Sequence, residues 1–204
     1  MIRRRGSLFV VSAPSGAGKT TLCREMRQRL NDLAYSVSVT TRPPRPGEID
    51  GTDFHFVGEP QFRAMLARGE MAEWATVHGN LYGTPATPLE AALREGRDVL
   101  LDIDTQGAAQ LRARYPEAVL IFIVAPSMAD LEQRLRERRS DAGSAIATRL
   151  ERARLEVPQW RRYDYLIVNR DVKEAVEQLA SIIQAERCRV TRLALTFPDL
   201  EVSN

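Results

Sequence analysis

The sequence predicts an α/β fold in which helices cover both faces of a parallel sheet. Nearly continuous apolar runs, typical of strands buried on both faces, occupy residues 8–11, 99–103, 119–124 and 165–168. Stretches whose apolar residues recur at helical spacing lie between and after these strands, at residues 20–30, 106–114, 128–138, 147–157 and 172–187. Strands that alternate with helices along a chain indicate a doubly wound core.

Two segments of different character interrupt this predicted core. Residues 36 to about 92 contain an alternating stretch at 36–40, a proline-rich turn at 43–47 and a short strand pattern at 54–57. These signals predict a small inserted lobe that contains β-strands. Residues 134–149 are rich in charge and predict a mobile flap. Residues 193–204 show no clear period and predict a docked or loose tail.

The length favours one domain. A chain of 204 residues, 44% hydrophobic and 27% charged, can bury a sizeable core, since single cores serve chains of up to roughly 250 residues. We therefore predict a single domain over residues 1–204. Its core is expected at about 7–37, 93–125 and 158–190, the inserted lobe at about 38–92, the lid at about 126–157 and a tail at 191–204.

The composition argues against several classes of partner. The net charge of +2, from 29 basic and 27 acidic residues, does not indicate a surface for nucleic acid polymers. The apolar run behind the basic first six residues is too short for a signal peptide or a membrane span, so we expect no membrane partner and a cytoplasmic location. Cys23 and Cys188 lack the neighbours of a disulfide framework or a zinc site. The sequence does not indicate an oligomeric state.

A loop of small residues between the first strand and the first helix predicts a phosphate-binding site. It reads Ala13-Pro14-Ser15-Gly16-Ala17-Gly18-Lys19-Thr20, followed by Thr21. Small residues let backbone N–H groups converge on phosphate oxygens, and the helix N-terminus adds partial positive charge. Lys19 is expected to reach the β- and γ-phosphates of ATP, and the Thr20 hydroxyl to bind Mg²⁺. Ala13 stands where this motif usually has its first glycine, and Lys19 is one of only two lysines.

An acidic residue at the end of a buried strand is expected to complete the metal site. Asp102 ends the apolar run at 99–101, and Asp104 follows two residues later, facing the same way in an extended chain. The alternative roles for Asp102 are a helix cap or a solvated strand end.

Several motifs, in this order, resemble those of guanylate kinases over roughly residues 7–187. They lie at 12–20, 36–42, 44–48, 73–75, 79–84, 101–107 and 165–169. The resemblance implies a P-loop kinase core, an inserted β-containing lobe that binds GMP and a helical lid. It also implies Mg²⁺-dependent transfer of the γ-phosphoryl group of ATP to GMP, giving ADP and GDP, with dGMP as a further candidate acceptor. Asn169 is expected at the ATP site.

The guanine base needs a particular set of polar groups. It presents N1–H and an amino group as donors beside the O6 acceptor, so its site needs a carboxylate on one side and hydroxyl donors on the other. Glu73 fits the carboxylate role. If adenine were bound instead, this carboxylate would face the lone pair of N1, and this mismatch discriminates against AMP. Without the resemblance, Glu73 would be interpreted as a surface helix residue. The resemblance places Ser38 and Thr84 at O6, and Gly83, Asp102 and Asp104 within the GMP site.

The acceptor phosphate is expected to meet two arginines. Arg42 and Arg45 flank a rigid Pro43-Pro44 step, and their guanidinium forks suit a phosphate monoester. The resemblance implies that they hold the GMP phosphate together with Tyr82. Phe54 stands where the family commonly has a tyrosine whose hydroxyl also contacts the acceptor phosphate. Without this hydroxyl, a hydrogen bond to a charged group worth about 1.5–3 kcal/mol is lost if nothing compensates.

The expected mechanism uses cations and no general base. The GMP phosphate is already an anion, so catalysis requires positioning and support for charge on the transferring group. The resemblance matches three arginines of the flap to family residues that close over the phosphates, which would also exclude water. A charged helix face that is merely solvated is the alternative. The predicted catalytic residues are Lys19, Arg42, Arg134, Arg138 and Arg149.

Three rival functions remain. A non-catalytic interaction module of the same fold characteristically has a degraded ATP loop, whereas this loop keeps its glycines, lysine and threonine. A related kinase could act on another acceptor such as ribose 1,5-bisphosphate, which the residues matched to guanine disfavour. A regulatory GTPase would carry an Asn/Lys-x-x-Asp motif, which is not apparent after the later strands.

Overall fold

The structure, a computed structural model, describes residues 2–30, 32–77, 79–137 and 143–195. Its strands are β1 (Ile2–Arg4), β2 (Leu8–Ser12), β3 (Leu33–Tyr35), β4 (Ser38–Thr40), β5 (Phe54–Phe56), β6 (Met71–Val77), β7 (Asn80–Pro85), β8 (Asp98–Asp102), β9 (Val119–Val124), β10 (Tyr165–Val168) and β11 (Leu193–Leu195). Its helices are α1 (Lys19–Arg29), α2 (Glu59–Ala67), α3 (Ala86–Arg94), α4 (Thr105–Arg114), α5 (Met128–Glu137), α6 (Gly143–Glu156) and α7 (Val172–Arg187). Short 3₁₀ helices occupy Val157–Arg162 and Val190–Arg192.

Five parallel strands form the central sheet, in the order β10-β9-β2-β8-β3. Strand β2 lies at its centre, where Val10 pairs with Leu101 of β8 on one side and with Leu120 of β9 on the other. Every residue of β2 is buried, as expected for a strand covered on both faces. The predicted α/β class with a parallel sheet is therefore confirmed.

Separate apolar clusters cover the two faces of this sheet. Alternate β2 side chains point to opposite faces, so Phe9 and Val11 join α1, α5, α6 and α7, whereas Leu8 and Val10 join α3 and α4. Phe9 is completely buried, and burial of a side chain of this size stabilises the fold by about 1.5–3 kcal/mol. These layers fix the ends of β2 and β8, from which the polar residues of the candidate site extend.

The inserted lobe is built on a second sheet, in the order β5-β4-β7-β6. Strands β4 and β5 are parallel, whereas β7 runs antiparallel to both β4 and β6. Val39, Phe62, Met71 and Leu81 form its own small core. The lobe also contains α2, which the sequence patterns did not predict, and the expected boundary at residue 92 falls inside α3, whose buried face packs on the central sheet.

The region expected to form the lid, about 126–157, contains the helices α5 and α6, and the predicted flap at 134–149 overlaps both. Arg138 lies outside the described residues. No helix within the described ranges is long and apolar enough to span a membrane.

The first and last described strands pair with each other. Strand β11 runs antiparallel to β1, so this part of the expected tail is docked. Beside the pair, the fully buried Asp98 accepts hydrogen bonds from Arg4 Nη1 at 2.6 Å, Ser7 N at 2.8 Å and Arg187 Nε at 2.7 Å. Two guanidinium groups and a backbone amide thus satisfy one buried carboxylate and tie β1 and α7 to β8.

Candidate active site

The phosphate loop leaves the central strand β2 and leads directly into α1. Gly16 and Gly18 adopt left-handed backbone angles, with φ of 91° and 97°. A Cβ atom at Gly18 would also lie only 2.3 Å from Asn169 Nδ2. Gly18 caps α1 without a side-chain hydrogen bond, and the first turn of α1 has no acidic residue. The N-terminus of α1 therefore presents backbone N–H groups and partial positive charge to an anion.

Lys19 connects this loop to the end of β8. Its ammonium group forms an ion pair with Asp102 and donates a hydrogen bond to the Ile103 carbonyl at 3.0 Å. Burial is the largest single influence and disfavours the charge, but the attraction and hydrogen bond of Asp102, with smaller contributions from Cys23 and Asp104, together raise the pKa of Lys19. Lys19 is therefore protonated at neutral pH, and Asp102 is a partner of a cation rather than a solvated strand end.

Asn169 contacts the backbone of the phosphate loop. It is 1% exposed, and its Nδ2 donates to the Ala17 carbonyl at 2.8 Å. Arg134 of α5 donates from Nη2 to the Asn169 carbonyl at 2.9 Å. In the described structure, Arg134 thus holds the residue that in turn holds the loop.

A smaller cleft of about 230 Å³ lies between the phosphate loop and α6. Arg149, one of the three arginines predicted to close over the phosphates, lines this cleft. Arg152 and Glu156 also line it and were not singled out by the sequence patterns, although they follow Arg149 at helical spacing. Cationic side chains of α6 therefore border the place where the loop would hold phosphates.

Glu73 lies in the inserted lobe on strand β6, not on a surface helix. It is 5% exposed, and its Oε1 accepts a hydrogen bond of 2.6 Å from the Thr84 hydroxyl. Burial raises the pKa of Glu73 to about 7, although the Thr84 hydrogen bond works in the opposite direction. The Thr84 hydroxyl has a single proton, and in this structure that proton is donated to Glu73.

Several neighbours orient the Arg42 side chain. Its Nη2 donates to Glu48 Oε1 at 2.8 Å, and its Nε donates to the Tyr82 hydroxyl at 3.2 Å. Its guanidinium carbon lies 5.4 Å from the centre of the Phe54 ring. Glu48 also accepts a hydrogen bond from the backbone N–H of Arg45 at 2.7 Å. The hydrogen bond from Arg42 lowers the pKa of Glu48, so the carboxylate is ionised and holds both the Arg42 side chain and the Arg45 backbone.

A cleft of about 500 Å³ brings the predicted groups together. Asp104 lines it beside Asp102 and at the same time caps α4, since its Oδ1 accepts from Gly107 N at 2.8 Å. The predicted residues that line this cleft are Lys19, Thr20, Ser38, Arg42, Arg45, Phe54, Glu73, Tyr82, Gly83, Asp102 and Asp104. Ala13, Pro14, Ser15, Gly16 and Gly18 line the smaller cleft, and Thr21 lies in the first turn of α1.

Comparisons with known proteins identify the family to which this chain belongs. The model of the guanylate kinase family matches residues 5–186. The chain belongs to the guanylate kinase family. A guanylate kinase of Syntrophotalea carbinolica is 54% identical over 192 residues, which cover 94% of this chain and 91% of that protein. A guanylate kinase of Geobacter metallireducens is 49% identical over 198 residues, which cover 97% and 98%.

A solved structure supports the fold of this guanylate kinase family member. The crystal structure of guanylate kinase from Anaplasma phagocytophilum superposes with a TM-score of 0.81 at 35% identity. The match covers 95% of this chain and 93% of that chain. The resemblance inferred from the motifs is therefore confirmed, as is the P-loop kinase fold.

The cleft of this guanylate kinase fold also contains residues that the sequence analysis missed as site residues. Glu48 was part of a recognised motif, and its acidic character six positions after Arg42 was the available signal. Tyr35 of β3 lies under the Arg27 guanidinium, 4.0 Å from ring centre to the guanidinium carbon, and burial raises its pKa to about 12. No local pattern pairs Tyr35 with Arg27, because α1 and β3 meet only in the folded chain.

Proposed function

We propose that this chain phosphorylates GMP with ATP, giving ADP and GDP, and that dGMP is a further acceptor. The observation that carries the proposal is a single cleft lined both by Lys19 and Thr20 of the phosphate loop and by Glu73 of the inserted lobe. Direct phosphoryl transfer requires the donor and the acceptor to share one site in which water is limited. Membership of the guanylate kinase family supports the same reaction.

The donor in this proposal is ATP with Mg²⁺. Lys19 reaches the β- and γ-phosphates, and backbone N–H groups of residues 13–20 surround them. Thr20 and Asp102 offer the oxygen ligands that Mg²⁺ prefers, and both line the same cleft. Within the described ranges, no group of three His, Cys, Asp or Glu residues could hold a metal alone, which suits an ion bound largely through phosphates. The bound ion would neutralise charge on the phosphate oxygens.

The acceptor in this proposal is selected by its base. Glu73 accepts from the N1–H and the 2-amino group of guanine, and Ser38 donates to O6, with Thr84, Gly83 and Asp104 beside them. Adenine would place the lone pair of N1 against the buried carboxylate and would not supply the two donors that guanine offers. The burial of Glu73, at 5% exposure, makes this penalty effective because water cannot replace the missing donor.

The transfer itself is proposed to rest on cations. Arg42 and Arg45 hold the GMP phosphate with Tyr82, and the ion pair with Glu48 orients Arg42. Arg134, Arg138 and Arg149 of the flap add charge when it closes over the phosphates. No residue is assigned as a general base, since the attacking phosphate oxygen is already an anion. The intact loop disfavours a non-catalytic module, and Glu73 disfavours ribose 1,5-bisphosphate as acceptor.

A coupled assay of ADP formation tests the proposal. GMP, dGMP, AMP, dTMP and ribose 1,5-bisphosphate are offered in parallel with ATP, each with Mg²⁺ and with excess chelator. We expect turnover with GMP that requires Mg²⁺. Absence of turnover with GMP while another acceptor reacts would overturn the assignment. The cytoplasmic location stays a prediction.

A further inference from the structure

Helix α4 of the core meets strand β6 of the inserted lobe next to Glu73. Gly107, in the first turn of α4, is buried against the Glu73 carboxylate. A Cβ atom at Gly107 would lie 2.3 Å from Glu73 Oε2 and 3.0 Å from Glu73 Cδ. The distance to Oε2 is too short for non-bonded atoms and the distance to Cδ is unusually tight, so a side chain at position 107 would displace the carboxylate.

The backbone does not require glycine at this position. Gly107 lies within α4 and is absent from the glycines with positive φ in the described chain. Glycine is also less favourable than alanine inside a helix, so local stability would favour a side chain. The atom that would have to move is the end of a flexible side chain, which the fold could tolerate. The requirement for glycine therefore comes from the place of the Glu73 carboxylate.

One turn later, Gln110 holds the backbone beside Glu73. Its Oε1 accepts from Trp74 N at 3.1 Å, and its Nε2 donates to Trp74 O at 2.7 Å. Among the described residues, strand β6 is the edge of the lobe sheet, and no neighbouring strand there pairs with these two groups of Trp74. The Gln110 amide satisfies both, as a further strand would, and attaches β6 to the core helix.

We infer that α4 positions the carboxylate that reads guanine: Gly107 leaves the space for Glu73, and Gln110 fixes the strand that carries it. The two residues are thus specificity-determining positioning residues for the acceptor. The inference rests on the proposed function, because it takes Glu73 as the group that binds the base. On the other side of the carboxylate, Thr84 holds Oε1, so Oε2 is the oxygen that a methyl group at 107 would move.

The chemistry of the base gives a selective readout. GMP offers the carboxylate two donors, N1–H and the 2-amino group, whereas inosine monophosphate offers only N1–H. A displaced or tilted carboxylate cannot accept both donors with good geometry, so GMP loses more than inosine monophosphate does. The ratio of kcat/KM for these two acceptors therefore reports the position of Glu73.

The test compares Gly107→Ala and Gln110→Ala with the unsubstituted chain and with Gly58→Ala. Gly58 is a matched control, because a Cβ atom there meets only Pro60 Cδ at 3.7 Å and φ is −71°. For Gly107→Ala we expect KM for GMP to rise about tenfold or more, the scale of one weakened hydrogen bond to a charged group. We expect KM for ATP and kcat at saturating GMP to change little, the preference over inosine monophosphate to fall and Tm not to drop.

Gln110→Ala should change the same ratio in the same direction by a smaller factor. The Gln110→Ala substitution removes a surface side chain and introduces no clash. It therefore tests the inference even if Gly107→Ala does not fold. An unchanged KM for GMP in both variants would overturn the inference. Parallel rises in KM for ATP and for GMP with a lowered Tm would overturn it as well. In either case, GMP turnover by the unsubstituted chain upholds the proposed function. Failure of the unsubstituted chain to phosphorylate GMP would instead overturn both.

Discussion

Affinity for GMP should fall as the pH drops through neutrality, because the proposed role of Glu73 requires an ionised carboxyl that accepts two donors from guanine. Burial raises its pKa to about 7 in the free protein. Bound guanine stabilises the ionised form, so the pKa falls on binding and the acid form competes with the ligand. The ionised fraction is roughly one tenth at about pH 6 and nine tenths at about pH 8, so KM for GMP should be roughly tenfold higher at the lower pH.

Steady-state assays at saturating Mg²⁺-ATP measure this dependence across the neutral range. The phosphate of GMP also titrates, with a second pKa of roughly 6. Glu73→Gln has the same shape and no titrating carboxyl, so its pH profile isolates the contribution of the phosphate. The tenfold effect is expected in the ratio between the two profiles.

Calorimetry gives a second and independent measurement. Binding of GMP at about pH 7 should release roughly half a proton from Glu73, seen as a dependence of the heat on the ionisation enthalpy of the buffer. The Gln variant should lack this release. Parallel profiles for the two proteins, together with equal proton release, would refute the assignment of the titrating group to Glu73.

Three further predictions concern other parts of the chain. Lys19→Met should abolish turnover and leave GMP binding measurable by calorimetry. Equal loss of turnover and of GMP binding would contradict the assignment of Lys19 to the donor site alone. Asp98→Asn should lower the free energy of unfolding by about 3 kcal/mol in denaturant titration, because Arg4 and Arg187 lose a buried anionic partner, with kcat retained. Phe54→Tyr should lower KM for GMP by about tenfold if the added hydroxyl reaches the phosphate; an unchanged KM in steady-state assays would contradict that geometry.

The core was predictable because its signals are local and strong. Long apolar runs define β8 and β9, and the small-residue loop between β2 and α1 has a defined chemical purpose. The elements that were missed are short: β3 has 3 residues and α2 has 9, with Pro60 in its first turn. Segments of this length show too little periodicity, and tertiary packing decides their structure.

The candidate site was predictable in its residue types and less so in its contacts. Glu73 was identified from the chemistry of guanine and from a resemblance, but its burial depends on how β6 packs on α4. Glu48 and Gln110 hold functional groups in place through bonds to Arg42 and Trp74. Positioning residues of this kind have no characteristic sequence pattern, since their role exists only where two distant segments meet.

The central place of β2 has a consequence for the order of folding. This strand and its phosphate loop are among the first parts of the chain, yet β2 pairs with β8 and β9, which lie much later in the sequence. Long loops must close before such contacts can form, which slows folding. A growing chain that ends before Val119 lacks β9 and leaves one edge of β2 open. The capacity to bind nucleotide therefore arises late, together with the whole sheet, although the loop that provides it is made early.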